Sequence, residues 1–257
     1  VDDARPQPRE HPLIAATTDQ WRLLDVQGLD TRLNQIAHRR RTLPEHAELT
    51  SLGERASTLR DELVGAQTQT SDVARELAKA EADVELVSQR LARDQARLLA
   101  GQGGHKELGP LQHEVETLTR RQSALEDVEL EIMERHEGLT TTVERLSAER
   151  DGLQAQVDDA TARRDAAIAA LDDEALQLTR ERVGMVAGLD AALLALYEKI
   201  RATGVTAAAL LRGRRCEGCR MELNPQDMER IRSAAADAVV RCEECGGILV
   251  RTGESGL

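Results

Sequence analysis

From Leu49 onward, apolar side chains recur at steps of three and four: Leu49, Leu52, Ala56, Leu59, Leu63, Ala66, Thr70, Val73, Leu77, Ala80, Val84, Val87 and Leu91. Only Thr70 in that run is polar, so the spacing predicts a long helix with one narrow apolar seam. Gly101-Gln102-Gly103-Gly104 predicts its end and a turn, because glycine reaches positive φ without a Cβ clash. Every seventh residue from there is apolar again (Leu111, Leu118, Leu125, Ile132, Leu139, Leu146, Leu153, Ala160, Ala167), which predicts a second helix folding back on the first. Pro110 is tolerable within a first helical turn. The complementary slots hold Gln122, Glu129, His136, Arg150 and Arg164 among Val143 and Val157; polar seam residues weaken packing but restrict register. The period continues to about Tyr197 and Ile200, Gly204 predicts the stop, and Gly184 and Gly188 predict a bend. A fold centred on the glycine cluster sets residue i opposite roughly residue 206 minus i.

Residues 1–12 carry Pro6, Pro8 and Pro12, which predict an extended arm rather than a helix. The expected organisation is therefore an arm over 1–12, a coiled-coil helical hairpin over 13–204 with its tip near 101–106, and a C-terminal domain over 205–257. In that last stretch Val205 to Leu211, Ala238 to Arg241 and Ile248 to Arg251 are β-compatible. Asn224-Pro225 supplies an N-cap and first-position proline for a short helix. The fold class read from these patterns is mainly α: a long antiparallel two-helix coiled-coil hairpin plus a small C-terminal antiparallel β ribbon with a short inserted helix.

Composition sharpens this picture. One Trp, one Tyr and no Phe, with 40% hydrophobic and 31% charged residues, leave burial to Leu, Val, Ile and Ala, as in a coiled coil. The net charge of -12 repels phosphate, so any nucleic-acid contact must be local. No stretch is long and apolar enough for a membrane span and the N-terminus has no signal-peptide core, so the expected location is cytoplasmic. Trp21 and Tyr197 are expected to pack against Leu and Met at the base of the hairpin. His38-Arg39-Arg40-Arg41, with Arg163 and Arg164, is an electropositive spot expected to be neutralised by acids such as Glu45, Glu48, Asp158, Asp159 and Asp165.

The chemistry is concentrated in four cysteines. Cys216-Glu217-Gly218-Cys219 and Cys242-Glu243-Glu244-Cys245 are separated by twenty-two residues. A C-x-x-C turn sets two thiolates on one knuckle, and two knuckles complete a tetrahedral site for one zinc ion. Four thiolates leave no open coordination position, so the metal is structural. A domain this small needs that metal to fold. A disulfide framework and a redox dithiol are the rival readings; a cytoplasmic chain disfavours the first, and the second does not need paired knuckles. The six histidines lie away from the cysteines. Gly104-x4-Gly109 continues as Pro110-Leu111 rather than Lys-Ser/Thr, which rejects a phosphate loop. No residues suggest catalysis or a small-molecule substrate.

At these residues the chain resembles a bacterial family with a long N-terminal coiled-coil hairpin and a C-terminal four-cysteine zinc ribbon, labelled nucleic-acid-binding, and its actinobacterial branch most closely. The resemblance rests on Lys106-Glu107-Leu108 through Leu111-Gln112-His113-Glu114, on Leu194 to Ile200, on Arg214 to Cys219 and on Val240 to Gly246. It implies a non-enzymatic adaptor whose ribbon touches nucleic acid or a protein of the transcription or translation machinery, while the helices reach a second partner. Relatives are linked to transcription factors, messenger RNA, motility and secretion. Where that family often has Arg after the Cys-Gly of the second knuckle, this chain has Gly247.

From Val205 to Leu257 there are eight arginines and eight acids, so the ribbon is not basic overall. Its candidates for phosphate are Arg212, Arg214, Arg215, Arg220 and Arg241, clustered around the knuckles. It has no Phe, Tyr, Trp or His to stack on bases, which predicts weak, salt-sensitive binding of RNA or DNA. The competing expectation is a protein-interaction scaffold, with a protein partner or a second copy on the coiled coil.

Overall fold

The computed structural model describes residues 13–101 and 105–257. The expected arm over 1–12 and Gln102 to Gly104 of the expected tip lie outside the described residues. The element order is α1 (Thr17–Arg41), α2 (Pro44–Leu99), α3 (His105–Val186), α4 (Ala191–Arg201), β1 (Ala208–Arg212), β2 (Arg215–Cys216), α5 (Pro225–Ser233), β3 (Val240–Arg241) and β4 (Ile248–Val250). Two compact units result: residues 44–164, and residues up to 43 together with 165–257.

The first unit pairs α2 with the first part of α3 in antiparallel fashion. Its seam is the predicted one: Leu52, Leu59, Leu63 and Ala66 are buried in one cluster with Leu146, Leu153 and Ala160, and Val87 and Leu91 with Leu118. Gln122, Glu129 and His136 are half-buried in the seam slots expected of them, whereas Arg150 is exposed and donates to Asp151 at 2.7 Å. The register differs from the expectation. Arg163 donates to Glu48 at 2.7 Å and Arg135 to Glu76 at 2.8 Å, which sets residue i opposite about residue 211 minus i; only Arg90 with Glu114 sits near the expected offset. Interlocking seam side chains choose the register, not the midpoint of the glycine cluster.

The second unit corrects the two-helix picture, because each predicted long helix is broken once. Pro44 opens α2 at a position where no N–H is owed, and it drives Leu43 out of the α region. α1 therefore ends at Arg41, with Thr42 N–H donating to His38 and Arg39 carbonyls. Gly188 at φ 82° and Asp190, whose carboxylate accepts from Leu193 N–H at 2.8 Å, end α3 and cap α4. Gly184 stays inside α3. Gly204, at φ 85°, closes the helical part as predicted.

The four strands form one sheet in the order β2-β1-β4-β3. Its central pair, β1 and β4, is parallel, with Ala208, Ala209 and Leu210 opposite Ile248, Leu249 and Val250, so the expected all-antiparallel ribbon is a mixed sheet. A parallel pair needs a long crossover, and the segment carrying α5 supplies it. Strand alternation gives the sheet two buried faces. Ala208 and Ile248 pack with Leu23, Val26, Leu193, Tyr197 and Ile200 of the helices, while Ala209, Leu211 and Leu249 pack with Met228 and Ile231 of α5 and with Cys216 and Cys242.

Polar side chains tie the helices to the sheet. Gln27 Oε1 accepts from Ala207 N–H at 2.8 Å and Ala208 N–H at 3.2 Å. Asp30, 2% exposed, accepts from Arg182 Nε at 2.6 Å and from the Tyr197 hydroxyl at 2.8 Å. Burial first, then that hydrogen bond, pushes the Tyr197 phenol well above its ordinary value. Tyr197 is the expected core aromatic. Trp21 is not: it is 49% exposed, and its indole N–H donates to the Arg251 carbonyl at 2.9 Å. The electropositive spot is neutralised as expected in kind: Arg39 pairs with Glu174, Arg40 with Asp172, and Arg163 with Glu48 and Asp159.

Candidate metal centre

Each knuckle begins where a strand ends: Cys216 closes β2 and Cys242 follows β3. Arg220 N–H donates to the Cys216 carbonyl at 2.7 Å, and Gly246 N–H to the Cys242 carbonyl at 2.8 Å, closing two equivalent turns. The residue after the second cysteine is left-handed in both, with Arg220 at φ 62° and Gly246 at φ 74°. Arg220 is the single non-glycine positive φ among the described residues, a conformation costing an L-residue roughly 1 kcal/mol.

The four sulfurs lie within 4.8 Å of one another, with Cys219 and Cys242 Sγ 3.9 Å apart. Zinc–sulfur bonds of about 2.3 Å set tetrahedral sulfur–sulfur edges of about 3.8 Å, so the cage fits one zinc ion. Burial pushes the Cys216 thiol up to about 12, against the backbone amides of Cys219 and Gly218 facing its sulfur. Burial also raises Cys245, against the Gly247 amide. At Cys219 burial opposes the thiolate, but the Met221 amide and the neighbouring cysteines outweigh it and the pKa falls. A bound divalent cation takes the place of the protons on such a cluster. The amides already aimed at sulfur then stabilise the thiolates.

The five candidate arginines separate into two groups. Arg212 pairs with Glu254 at 2.9 Å, and Arg214 faces Glu222 at 3.7 Å. Arg215 Nε donates to the Arg220 carbonyl at 2.9 Å, and Arg241 Nε donates to the Gly246 carbonyl at 2.8 Å. These two bonds are equivalent: an arginine just before each knuckle clasps the carbonyl just after it. The clasp uses Nε alone, and the terminal amino groups of Arg215 and Arg241 carry no ion pair among the described residues. The Arg220 guanidinium is exposed and has no ion-pair partner among them either. The repeat Arg-Cys-Glu-x-Cys at 215–219 and 241–245 was the sequence signal for this pairing.

Two further roles escaped the sequence. Arg251 counted there as a ribbon cation, but its guanidinium donates to the carbonyls of Ile231, Ala234, Ala235, Ala236 and Ala238; it closes the C-terminal end of α5. Gly247 read as a missing cation, but a Cβ there would stand 2.6 Å from the Thr206 carbonyl oxygen. Glycine at 247 is therefore a packing requirement, not a vacant contact.

A closed four-thiolate site on a small mixed sheet, packed against the base of a helical bundle, defines a structural zinc-ribbon protein. The family models agree: residues 26–205 match the CT398-like coiled coil hairpin domain and residues 215–249 the C4-type zinc ribbon domain. The chain belongs to the CT398-like coiled-coil hairpin family. It is similar to the uncharacterized protein Rv2229c of Mycobacterium tuberculosis, 35% identical across 92% of this chain and 97% of that protein. A structure from Mycobacterium smegmatis is similar with a TM-score of 0.84 and 38% identity, covering 93% of this chain and 100% of that one. CT398 from Chlamydia trachomatis shares the fold, with a TM-score of 0.65 and 18% identity over 90% of this chain and 97% of its own. Neither matched family is an enzyme family, and among the described residues no helix is long and apolar enough to cross a membrane.

Proposed function

We propose that this chain is a non-enzymatic adaptor. Its zinc ribbon binds phosphates of RNA or DNA in the service of transcription or translation, and its helices engage a protein partner. The observation that supports this is the split among the ribbon arginines. Those paired with acids, Arg212 and Arg214, are spoken for; Arg215, Arg220 and Arg241 surround the knuckles with guanidinium groups that lack acidic partners among the described residues. The Nε clasps hold two of them in place, so less side-chain freedom is lost on binding. Four thiolates on one zinc carry a net charge of about -2, and residues 205–257 themselves contain no aromatic side chain to stack on bases, so binding is weak and salt-sensitive. A cytoplasmic location goes with this reading, since reduced thiols persist there.

The test is fluorescence anisotropy of the zinc-loaded protein with labelled single-stranded RNA and DNA, repeated at several salt concentrations. Replacing Arg215, Arg220 and Arg241 together by Gln, with zinc content unchanged, is expected to lower the slope of log K against log salt by about 2, at about 0.7 per lost contact. Arg212→Gln with Arg214→Gln should leave the slope alone. Equal slopes for wild type and triple variant would refute the phosphate site. A scaffold acting through protein alone is the second reading. Exposed Leu86, Val128, Leu130 and Met133 in the 44–164 unit support it, with a protein or a second copy of the chain as the partner on the helices.

A further inference from the structure

The turn that leaves α4 is pressed against the second knuckle. Gly204, at φ 85°, sends the chain into Val205 and Thr206, and Ile248 N–H donates to the Ala207 carbonyl at 2.8 Å. α4 and the knuckle belong to the same compact unit, and they leave a cleft of about 230 Å³ whose lining includes Leu196, Lys199, Val205, Arg241 and Cys245. No acid lines this cleft among the described residues. Arg241 also lines a larger cleft of about 500 Å³, but its charged companions there, Arg230 and Glu243, pair with each other at 2.6 Å. Lys199 is exposed and has no ion pair among the described residues. The residues three and four places from it, the ones a helical lysine reaches, are Ala195, Leu196, Ala202 and Thr203. Its sequence neighbour Glu198 is taken up by Arg182 at 2.5 Å and Arg201 at 2.8 Å.

We propose that this smaller cleft takes one phosphate group of a single-stranded RNA or DNA, held between the Lys199 ammonium and the terminal amino groups of Arg241, with the attached sugar against Leu196 and Val205. The proposal rests on the phosphate-binding reading of the ribbon and carries that surface off the ribbon onto α4. Two cations lining one cleft repel each other, and an anion between them turns that cost into attraction. Arg241 is prepared for the task, because its Nε bond to the Gly246 carbonyl at 2.8 Å fixes the fork and leaves the terminal nitrogens to a phosphate. The size agrees: 230 Å³ falls below the roughly 300–1,000 Å³ of a pocket that encloses a drug-sized ligand. It suits one segment of a strand passing through, rather than a free ligand enclosed on its own. The thiolate cage behind Cys245 carries net negative charge once zinc is bound, so the two cations work against it and the contact is modest.

The chain has three lysines, at 79, 106 and 199, so acetylation by an N-hydroxysuccinimide ester, followed by mass spectrometry, reports on Lys199 directly. With the zinc-loaded full chain, a single-stranded oligoribonucleotide at a concentration where anisotropy shows it bound is expected to slow acetylation of Lys199. Lys79, exposed on the 44–164 unit, should react as before. Lys199→Gln is expected to lower the slope of log K against log salt by about 0.7, one contact. Lys79→Gln, which removes the same charge elsewhere, should leave the slope alone, and Lys199→Arg should keep it. An oligonucleotide that binds without protecting Lys199 overturns the proposal and leaves the arginine reading standing; a lysine that only offsets the charge of the thiolate cage gives this result. An oligonucleotide that does not bind at all removes the arginine reading, and this one with it. Acetylation of Lys199 that slows with protein concentration and not with RNA assigns the cleft to a second copy, against the proposal.

Discussion

Arg251→Ala isolates a single side chain that holds the inserted helix of the ribbon. Its two terminal nitrogens reach five carbonyls at 2.7 to 3.3 Å. They carry four hydrogens, so at most four full bonds form at once. Ala235 and Ala236 are exposed, and water replaces the guanidinium there at little cost. The carbonyls of Ile231, Ala234 and Ala238 are sheltered, and a sheltered acceptor left unpaired costs about 1 kcal/mol or somewhat more. The expected loss is therefore about 2 to 3 kcal/mol of ribbon stability. The chain contains one tryptophan, and Trp21 donates to the carbonyl of Arg251 itself, so its fluorescence reports on this segment. Urea unfolding of the zinc-loaded protein followed at Trp21 should show an earlier midpoint in the variant. Arg251→Lys, with one ammonium in place of a fork, should recover only part of the difference. A midpoint for Arg251→Ala within about 0.5 kcal/mol of wild type, the range of an ordinary surface substitution, would refute the reasoning.

Two other substitutions probe the ribbon. Removing zinc by chelation, or Cys216→Ser, should unfold the sheet while the helical circular dichroism signal of α2 and α3 persists, because the seam of the 44–164 unit contains no metal ligand; loss of both together would show that the helices depend on the metal. Gly247→Ala should destabilise the ribbon by about 1 to 3 kcal/mol, measured by the same Trp21 unfolding curve, since the added carbon meets a backbone carbonyl at 2.6 Å and backbone cannot swing aside as a side chain can. A neutral Gly247→Ala would remove the packing explanation for glycine at that position.

The helical seams were legible because a coiled coil is a one-dimensional problem. Leu52, Leu59, Leu146 and Leu153 are buried by a period that can be counted along the chain. The metal site was legible for a similar reason: two C-x-x-C turns are local, and four thiolates satisfy one ion wherever the chain brings them. The α5 helix was announced by its own cap, with the Asn224 side chain accepting from Asp227 N–H at 2.8 Å. The breaks at Leu43 and Gly188 carried local signals too, in Pro44 and in the Gly188 to Asp190 segment, of which only the second was read as a bend.

What sequence alone determined is thus the periodic and the local: seams, turns, caps and the ligand set. Only the tertiary structure decided the register of the helices, the parallel pairing of β1 with β4, and the state of each arginine. Arg212, Arg220, Arg241 and Arg251 are the same residue type in one short domain. One faces an acid, one stands at a left-handed φ with no acidic partner among the described residues, one clasps a carbonyl by Nε, and one fills a ring of carbonyls. A guanidinium takes its role from acceptors brought to it across the fold, and for Arg241 and Arg251 those acceptors are backbone carbonyls, whose positions no residue letter encodes.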